Sequence, residues 1–243
     1  MANISEDRRP PLWLLIREGA SIASRFWRGF GKLGPRGPED GPPLMVIPGF
    51  MASDRSTLGL QRAFAEAGYR VAGWGLGLNR GARADILDRL VGQVERHGAG
   101  RPVVLVGWSL GGIYARELAK RRPELAAKVV TLGTPFSGNP RANNAWRLYE
   151  LVAGHKVDSP PMGAKPAEKP PVPTLAIWSR RDGLIAPACA RGGEGESDRQ
   201  VELDCGHMGF AVSGRAFPRI VEAIRAFEAG FPPVFSAPAA VHV

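Results

Sequence analysis

Residues 103–112 read Val-Val-Leu-Val-Gly-Trp-Ser-Leu-Gly-Gly, and few folds accept that order. The apolar run Val103–Val106 is mostly β-branched and predicts a strand with both faces covered. A helical pattern follows from about Ile113 to Arg121. Between them lies Gly107-x-Ser109-x-Gly111, so the chain must turn sharply from strand to helix with Ser109 at the corner. Such a corner exposes the serine hydroxyl and leaves no room for side chains at Gly107 and Gly111. It also opens a helix at Leu110, whose N–H can hold developing negative charge, aided by the helix N-terminus.

The rest of the chain supports a sheet around that corner. From Leu44 onward, short β-rich runs alternate with longer helical ones. The strands are expected at Leu44–Ile47, Arg70–Trp74, Val103–Trp108, Lys128–Leu132, Thr174–Trp178 and Val201–Asp204. The helices are expected at Thr57–Ala67, Arg83–His97, Ile113–Arg121 and Arg215–Ala229. This alternation predicts an α/β fold with a mostly parallel central sheet flanked by helices. Only Pro135–Pro173 breaks the rhythm, with one helix near Asn144–Ala153. A connection that long is either a cap or lid facing a substrate or a loose surface loop.

Composition narrows the class further. The chain has 243 residues, 44% hydrophobic and 23% charged, as in a soluble globular protein of one large domain. No apolar run reaches the roughly 18 residues of a membrane helix. Two cysteines and four histidines leave no basis for a disulfide-rich scaffold or a zinc cluster, and with no G-x-G-x-x-G or Walker-type loop no cofactor is expected. The net charge of +9 is carried by scattered arginines rather than a block. It reads as solubility, with no nucleic-acid motif beside it.

Three parts are expected: an N-terminal helix and linker over 1–40, the α/β domain over 41–231 with its insertion at 135–173, and a loose tail over 232–243. In the first, Leu12, Leu15, Gly19, Ile22, Phe26 and Phe30 recur at helical spacing beside Trp13 and Ile16. Arg17, Glu18, Ser21, Arg25 and Arg28 fall on the opposite, polar face. The helix packs on its own domain or on a second copy in a homodimer, or residues 11–30 touch a membrane surface peripherally. No clear signal peptide is read, so a bacterial cytoplasmic or membrane-peripheral location is expected, with export as the open alternative.

A serine at its ordinary pKa needs a base, and that base needs an orienting group. Of the histidines after Ser109, His155 falls in the insertion and His242 in the tail. His207 follows the last expected strand. Asp158, Asp182, Asp198 and Asp204 compete as the acid. Asp182 follows the strand Thr174–Trp178, at a carboxyl end where sites of open α/β sheets lie. Asp204 is expected inside a strand, and the other two in loops. A second oxyanion donor is expected after the first strand, in Pro48-Gly49-Phe50-Met51, from the N–H of Phe50 or of Met51. Trp108, Phe50, Met51, Phe136, Trp146 and Met208 are candidate walls of an apolar pocket. His97, near a helix end, reads as a C-terminal cap.

The motifs PGF at Pro48–Phe50, GWSLGG at Gly107–Gly112, SRRDGLI at Ser179–Ile185 and CGHMG at Cys205–Gly209 together resemble the α/β-hydrolase superfamily. The resemblance implies a serine esterase or lipase-like enzyme acting on a small-molecule ester. Ser109 would be its nucleophile, His207 its base and Asp182 its acid, with a cap where Pro135–Pro173 lies. The oxyanion loop departs from the His-Gly of many relatives by having Pro48-Gly49. The family also holds acyltransferases and thioesterases, and a silent relative that only binds a ligand is the alternative outside enzymology. Cys189 and Cys205 resemble the disulfide near the histidine loop of some secreted bacterial lipases. Such a bond would close a loop of about 16 residues and contribute about 3 kcal/mol; two independent reduced cysteines are the alternative.

Overall fold

The structure is a computed structural model and describes residues 9–11, 13–16, 18, 34 and 36–231. The expected tail over 232–243 and most of the expected amphipathic segment, including Leu12, Arg17 and residues 19–30, lie outside the described residues.

Six strands form one parallel sheet: β1 (Pro43–Ile47), β2 (Arg70–Gly73), β3 (Val103–Trp108), β4 (Ala126–Leu132), β5 (Thr174–Trp178) and β6 (Arg199–Glu202), in the order β2-β1-β3-β4-β5-β6. Alternation along each strand divides the core into two layers. Leu44, Val46, Val104, Val106, Val130 and Ile177 meet α1 (Leu58–Glu66) and α7 (Phe217–Gly230) through Phe64, Ile220 and Phe227. Met45, Ile47, Leu105 and Val129 meet α2 (Ile86–Gly98) and α3 (Leu110–Arg121) through Leu90, Tyr114 and Leu118. Burying each such side chain stabilises the fold by about 1.5–3 kcal/mol. The continuous apolar strands of the sequence follow from this double cover.

The order reverses between β1 and β3, since β1 leads out to β2 while β3 leads on through β4 to β6. The carboxyl ends of β1 and β3 therefore flank the crevice in which open α/β sheets place ligands. The chain leaves β1 at Pro48-Gly49-Phe50 and β3 at Ser109, so both loops rise side by side.

Three elements depart from expectation. Helix α3 begins at Leu110 rather than Ile113, because close packing recruits Gly111 and Gly112 into the first turn despite their poor helix propensity. Strand β6 ends at Glu202, short of Asp204. It is an edge strand with exposed polar residues, so its apolar signal is weak. His97 is no cap: α2 runs past it to a left-handed Ala99, and its Nε2 lies 3.1 Å from the Leu44 carbonyl and 2.9 Å from the Arg70 carbonyl.

The insertion after β4 contributes α4 (Trp146–Ala153) and irregular chain up to β5. It is packed rather than loose. Arg116 of α3 is buried against it, donating to the carbonyls of Pro166 (2.6 Å), Ala167 (3.3 Å) and Glu168 (3.3 Å), and to that of Glu196 (2.8 Å). Its guanidinium also lies 4.3 Å from the Phe136 ring centre. Removing its solvent brings the guanidinium down to a pKa of about 10, still cationic at neutral pH. The last two helices, α5 (Pro187–Arg191) and α6 (Gly209–Val212), are short and follow β5 and β6 respectively.

Candidate active site

Ser109 caps α3 with φ 54° and ψ −125°, a left-handed conformation that costs a non-glycine residue about 1–3 kcal/mol. Neighbouring backbone enforces it. A Cβ on Gly107 would lie 2.3 Å from the Cα of Gly112, and one on Gly111 would lie 2.3 Å from the Ile47 carbonyl oxygen. The Ser109 N–H donates to the Leu132 carbonyl at 2.9 Å, pinning the corner to the end of β4.

Asp182 and His207 come together 25 residues apart. His207 Nδ1 lies 2.7 Å from Asp182 Oδ2, and the side chains are 2% and 1% exposed. Asp182 is itself fixed, since its Oδ1 accepts the N–H groups of Leu184 and Ile185, each at 2.8 Å. Burial pushes the His207 imidazole down, but the Asp182 charge, its hydrogen bond and the Glu18 charge together outweigh that and raise its pKa. Among the described residues, neither Ser109 Oγ nor His207 Nε2 takes part in a hydrogen bond. The Trp108 indole joins the two regions: it donates to the His207 carbonyl at 3.2 Å, and its ring lies 5.7 Å from the imidazole.

The competing carboxylates are occupied elsewhere. Asp158 pairs with Arg141 at 2.5 Å. Asp204 pairs with Arg181 at 2.9 Å on the surface. Asp198 accepts the Thr174 N–H at 2.8 Å and pairs with Lys169 at 3.0 Å. His155 binds the Ala82 carbonyl at 2.9 Å.

Between the two oxyanion candidates, geometry separates Phe50 from Met51. The Met51 N–H is taken by the Asn79 carbonyl at 2.7 Å. Neither Phe50 nor Leu110 has its N–H in a hydrogen bond among the described residues. Gly49 brings this loop against the corner, where an added Cβ would lie 3.0 Å from the Ser109 Cβ. Asn79, which the sequence reading passed over, holds the loop. It donates to the Pro48 carbonyl at 2.8 Å and accepts from the Tyr114 hydroxyl at 3.2 Å. Its setting, Gly77-Leu78-Asn79, signals only a turn.

An apolar cavity of about 300 Å³ opens on Ser109, walled by Phe50, Leu110, Ile113, Phe136, Trp146 and Tyr149. The insertion supplies its far side, including Val157 and Met162. Three of the expected wall residues are elsewhere. Trp108 and Met208 are buried in the core layer beneath the site, because Trp108 points down from the strand end. Met51 is turned outward and exposed by its φ of 54°.

Of the two readings of the cysteines, the possible disulfide is not formed, as neither thiol is bonded to the other. Cys189 packs with Ala142, Trp178 and Ile185, whereas Cys205 packs against Gly209. Burial and the charges of Asp182, Glu18 and Asp204 push the Cys205 thiol up to about 12, so it stays protonated and unreactive.

A family model described as alpha/beta hydrolase fold matches residues 42–158. The chain aligns with an α/β hydrolase from the metagenome of sediments of the lagoon of Mar Chica, Morocco, at TM-score 0.60 and 20% identity over 81% of this chain and 94% of that one. It aligns with naproxen esterase of Bacillus subtilis at TM-score 0.56 and 14% identity over 86% and 97%. A thioesterase domain of the curacin biosynthetic pathway gives TM-score 0.54 and 15% identity over 77% and 93%. A biotin biosynthesis bifunctional protein of Teredinibacter turnerae is 40% identical over 60 residues, covering 25% of this chain and 10% of that protein. The chain thus matches about a tenth of that curated relative's length. By its sheet order, its strand–corner–helix motif and these likenesses, the chain has the α/β-hydrolase fold.

Proposed function

We propose that the chain is a serine hydrolase of carboxylic esters, working through Ser109, His207 and Asp182. The observation that carries this reading is the 2.7 Å contact of a buried His207 with a buried Asp182, at a site whose serine is held at φ 54° on the floor of an apolar cavity. His207 takes the Ser109 proton as Oγ attacks the ester carbonyl, and Asp182 stabilises the imidazolium that results. The N–H groups of Leu110 and Phe50 hold the oxyanion. The alcohol leaves with the proton from His207, and water then cleaves the acyl-enzyme with His207 again as base. A cavity of about 300 Å³ lies at the small end of ligand sites and favours short- to medium-chain acyl groups.

Fluorophosphonate labelling of the purified protein, followed by peptide mass spectrometry, is expected to place the adduct on Ser109. A panel of nitrophenyl esters is expected to show turnover that falls for long chains. A folded protein with no adduct and no turnover would leave a binding protein as the better reading. Added alcohols capturing the acyl group faster than water would make it an acyltransferase.

Asn79→Ala tests the oxyanion loop. It strands the Pro48 carbonyl and the Tyr114 hydroxyl, at a cost of about 1–3 kcal/mol in urea unfolding. It lets Phe50 drift, so kcat is expected to fall about 100-fold with little change in KM. An unchanged kcat would remove Phe50 from the oxyanion hole.

The membrane contact expected of the N-terminal segment is kept as a second proposal. Ile16 is 77% exposed, and Leu148 and Leu151 of α4 are exposed as well, an arrangement suited to shallow insertion. Co-sedimentation with anionic liposomes tests it, and loss of binding in Ile16→Asp together with Leu151→Asp is the expected result.

A further inference from the structure

Glu18 belongs to the polar face of the N-terminal segment by periodicity, where solvent would surround it. Instead it is 2% exposed. Its Oε1 accepts the backbone N–H of His207 at 2.5 Å and that of Gly183 at 3.3 Å, and its Oε2 accepts the N–H of Met208 at 2.9 Å. Gly183 follows Asp182, so one carboxylate spans the acid loop after β5 and the base loop after β6.

The two loops are shaped to receive this segment. A Cβ on Gly206 would lie 2.5 Å from Glu18 Oε1, and one on Gly183 would lie 2.6 Å from the carbonyl carbon and oxygen of Leu14. Neither glycine has a left-handed φ, so close approach, not backbone conformation, excludes a side chain at both. The segment is tied down again nearby, where Asn144 Nδ2 donates to the Pro10 carbonyl at 3.0 Å and to the Gly183 carbonyl at 2.8 Å.

We propose that Glu18 is a positioning residue: its buried carboxylate clamps the acid loop to the base loop and so sets the Asp182–His207 geometry. The proposal rests on the hydrolase reading for its effect on turnover, but not for the clamp itself. The two loops carry the acid and the base on separate strand ends. Ser179 Oγ also joins them by donating to the Cys205 carbonyl at 2.7 Å, and Arg181 pairs with Asp204 at 2.9 Å, but Glu18 is the carboxylate that takes the N–H of His207 itself together with that of Gly183 beside Asp182. Three N–H donors converge on two anionic oxygens, a strong, charge-assisted arrangement. Glutamine cannot replace it, since its NH₂ would face one of those donors. The charged and titratable groups around Glu18 are Asp182 and His207, and, lining the same surface cavity as Glu18, Cys205, Arg181, Glu202, Asp204, Arg215 and Arg219.

The test is Glu18→Gln in the full chain, with Glu18→Asp beside it. Active-site titration normalises for any unfolded fraction. In Glu18→Gln, kcat per titrated site is expected to fall about 100-fold with KM nearly unchanged, and the acid limb of the pH profile is expected to move to lower pH. Glu18→Asp, which keeps the charge, is expected to restore the position of the limb. Imidazole NMR of His207 reads the same site without turnover: its titration is expected to move down in Glu18→Gln, and the low-field Nδ1 proton to weaken. A folded Glu18→Gln with unchanged titration and Nδ1 proton would overturn the clamp, whether or not the wild type hydrolyses esters. An inert wild type with the NMR changes present would overturn the hydrolase reading alone. If neither variant folds, Glu18 serves the fold and not the site, and the proposal fails.

Discussion

Ser109→Ala is expected to lower kcat on a nitrophenyl ester by about 10⁶-fold while the protein stays folded. The side chain contributes nothing that the fold needs, since Ser109 Oγ makes no hydrogen bond among the described residues. Alanine suffers the same strain at φ 54°, so thermal unfolding should change little. Ser109→Gly sharpens the prediction. Glycine relieves a conformation costing about 1–3 kcal/mol, against a smaller entropic loss of about 0.5–1 kcal/mol. That variant should be inactive and slightly more heat-stable than the parent. Retention of more than a trace of activity in either variant would place the nucleophile elsewhere.

Asp182→Asn is the second large effect, expected at about 10⁴-fold in kcat. The carboxylate has its two oxygens assigned: Oδ1 to the N–H groups of Leu184 and Ile185, Oδ2 to His207 Nδ1. An asparagine keeps its oxygen toward the two N–H donors and turns its NH₂ toward His207. Nδ1 must then accept, the ring proton moves to Nε2, and Nε2 can no longer take the serine proton. The pH profile follows from the same contact. In the proposed mechanism turnover needs a neutral imidazole, and His207 is raised above the ordinary value of about 6.5. The parent's kcat/KM should therefore fall as pH drops through that raised value. In Asp182→Asn the residual limb should sit at lower pH, because the main charge raising the imidazole has gone. A limb that does not move would mean that another group titrates.

The strands, the corner at Ser109 and the pair Asp182 and His207 were legible in the amino-acid order because each depends on local rules. Doubly covered strands are continuously apolar, a strand-to-helix corner demands glycines at fixed offsets, and site residues follow strand ends. The aromatic candidates were half legible. Phe136 and Trp146 do line the cavity, but Trp108 and Met208 are equally apolar and lie in the core. Apolarity marks burial, not which side of a loop a side chain takes. The cysteines show the limit of spacing, since sixteen residues of separation say nothing about which cluster each thiol joins.

Glu18 and Asn79 were not legible at all. A polar residue is buried only where other segments leave N–H or C=O groups needing a partner. For Glu18 those groups are 165 to 190 residues away along the chain. Sequence alone determined the sheet, the corner and the chemistry available at the strand ends. Tertiary structure alone decided how that chemistry is held, because the clamp exists only once distant loops bring their unsatisfied backbone donors to a single carboxylate.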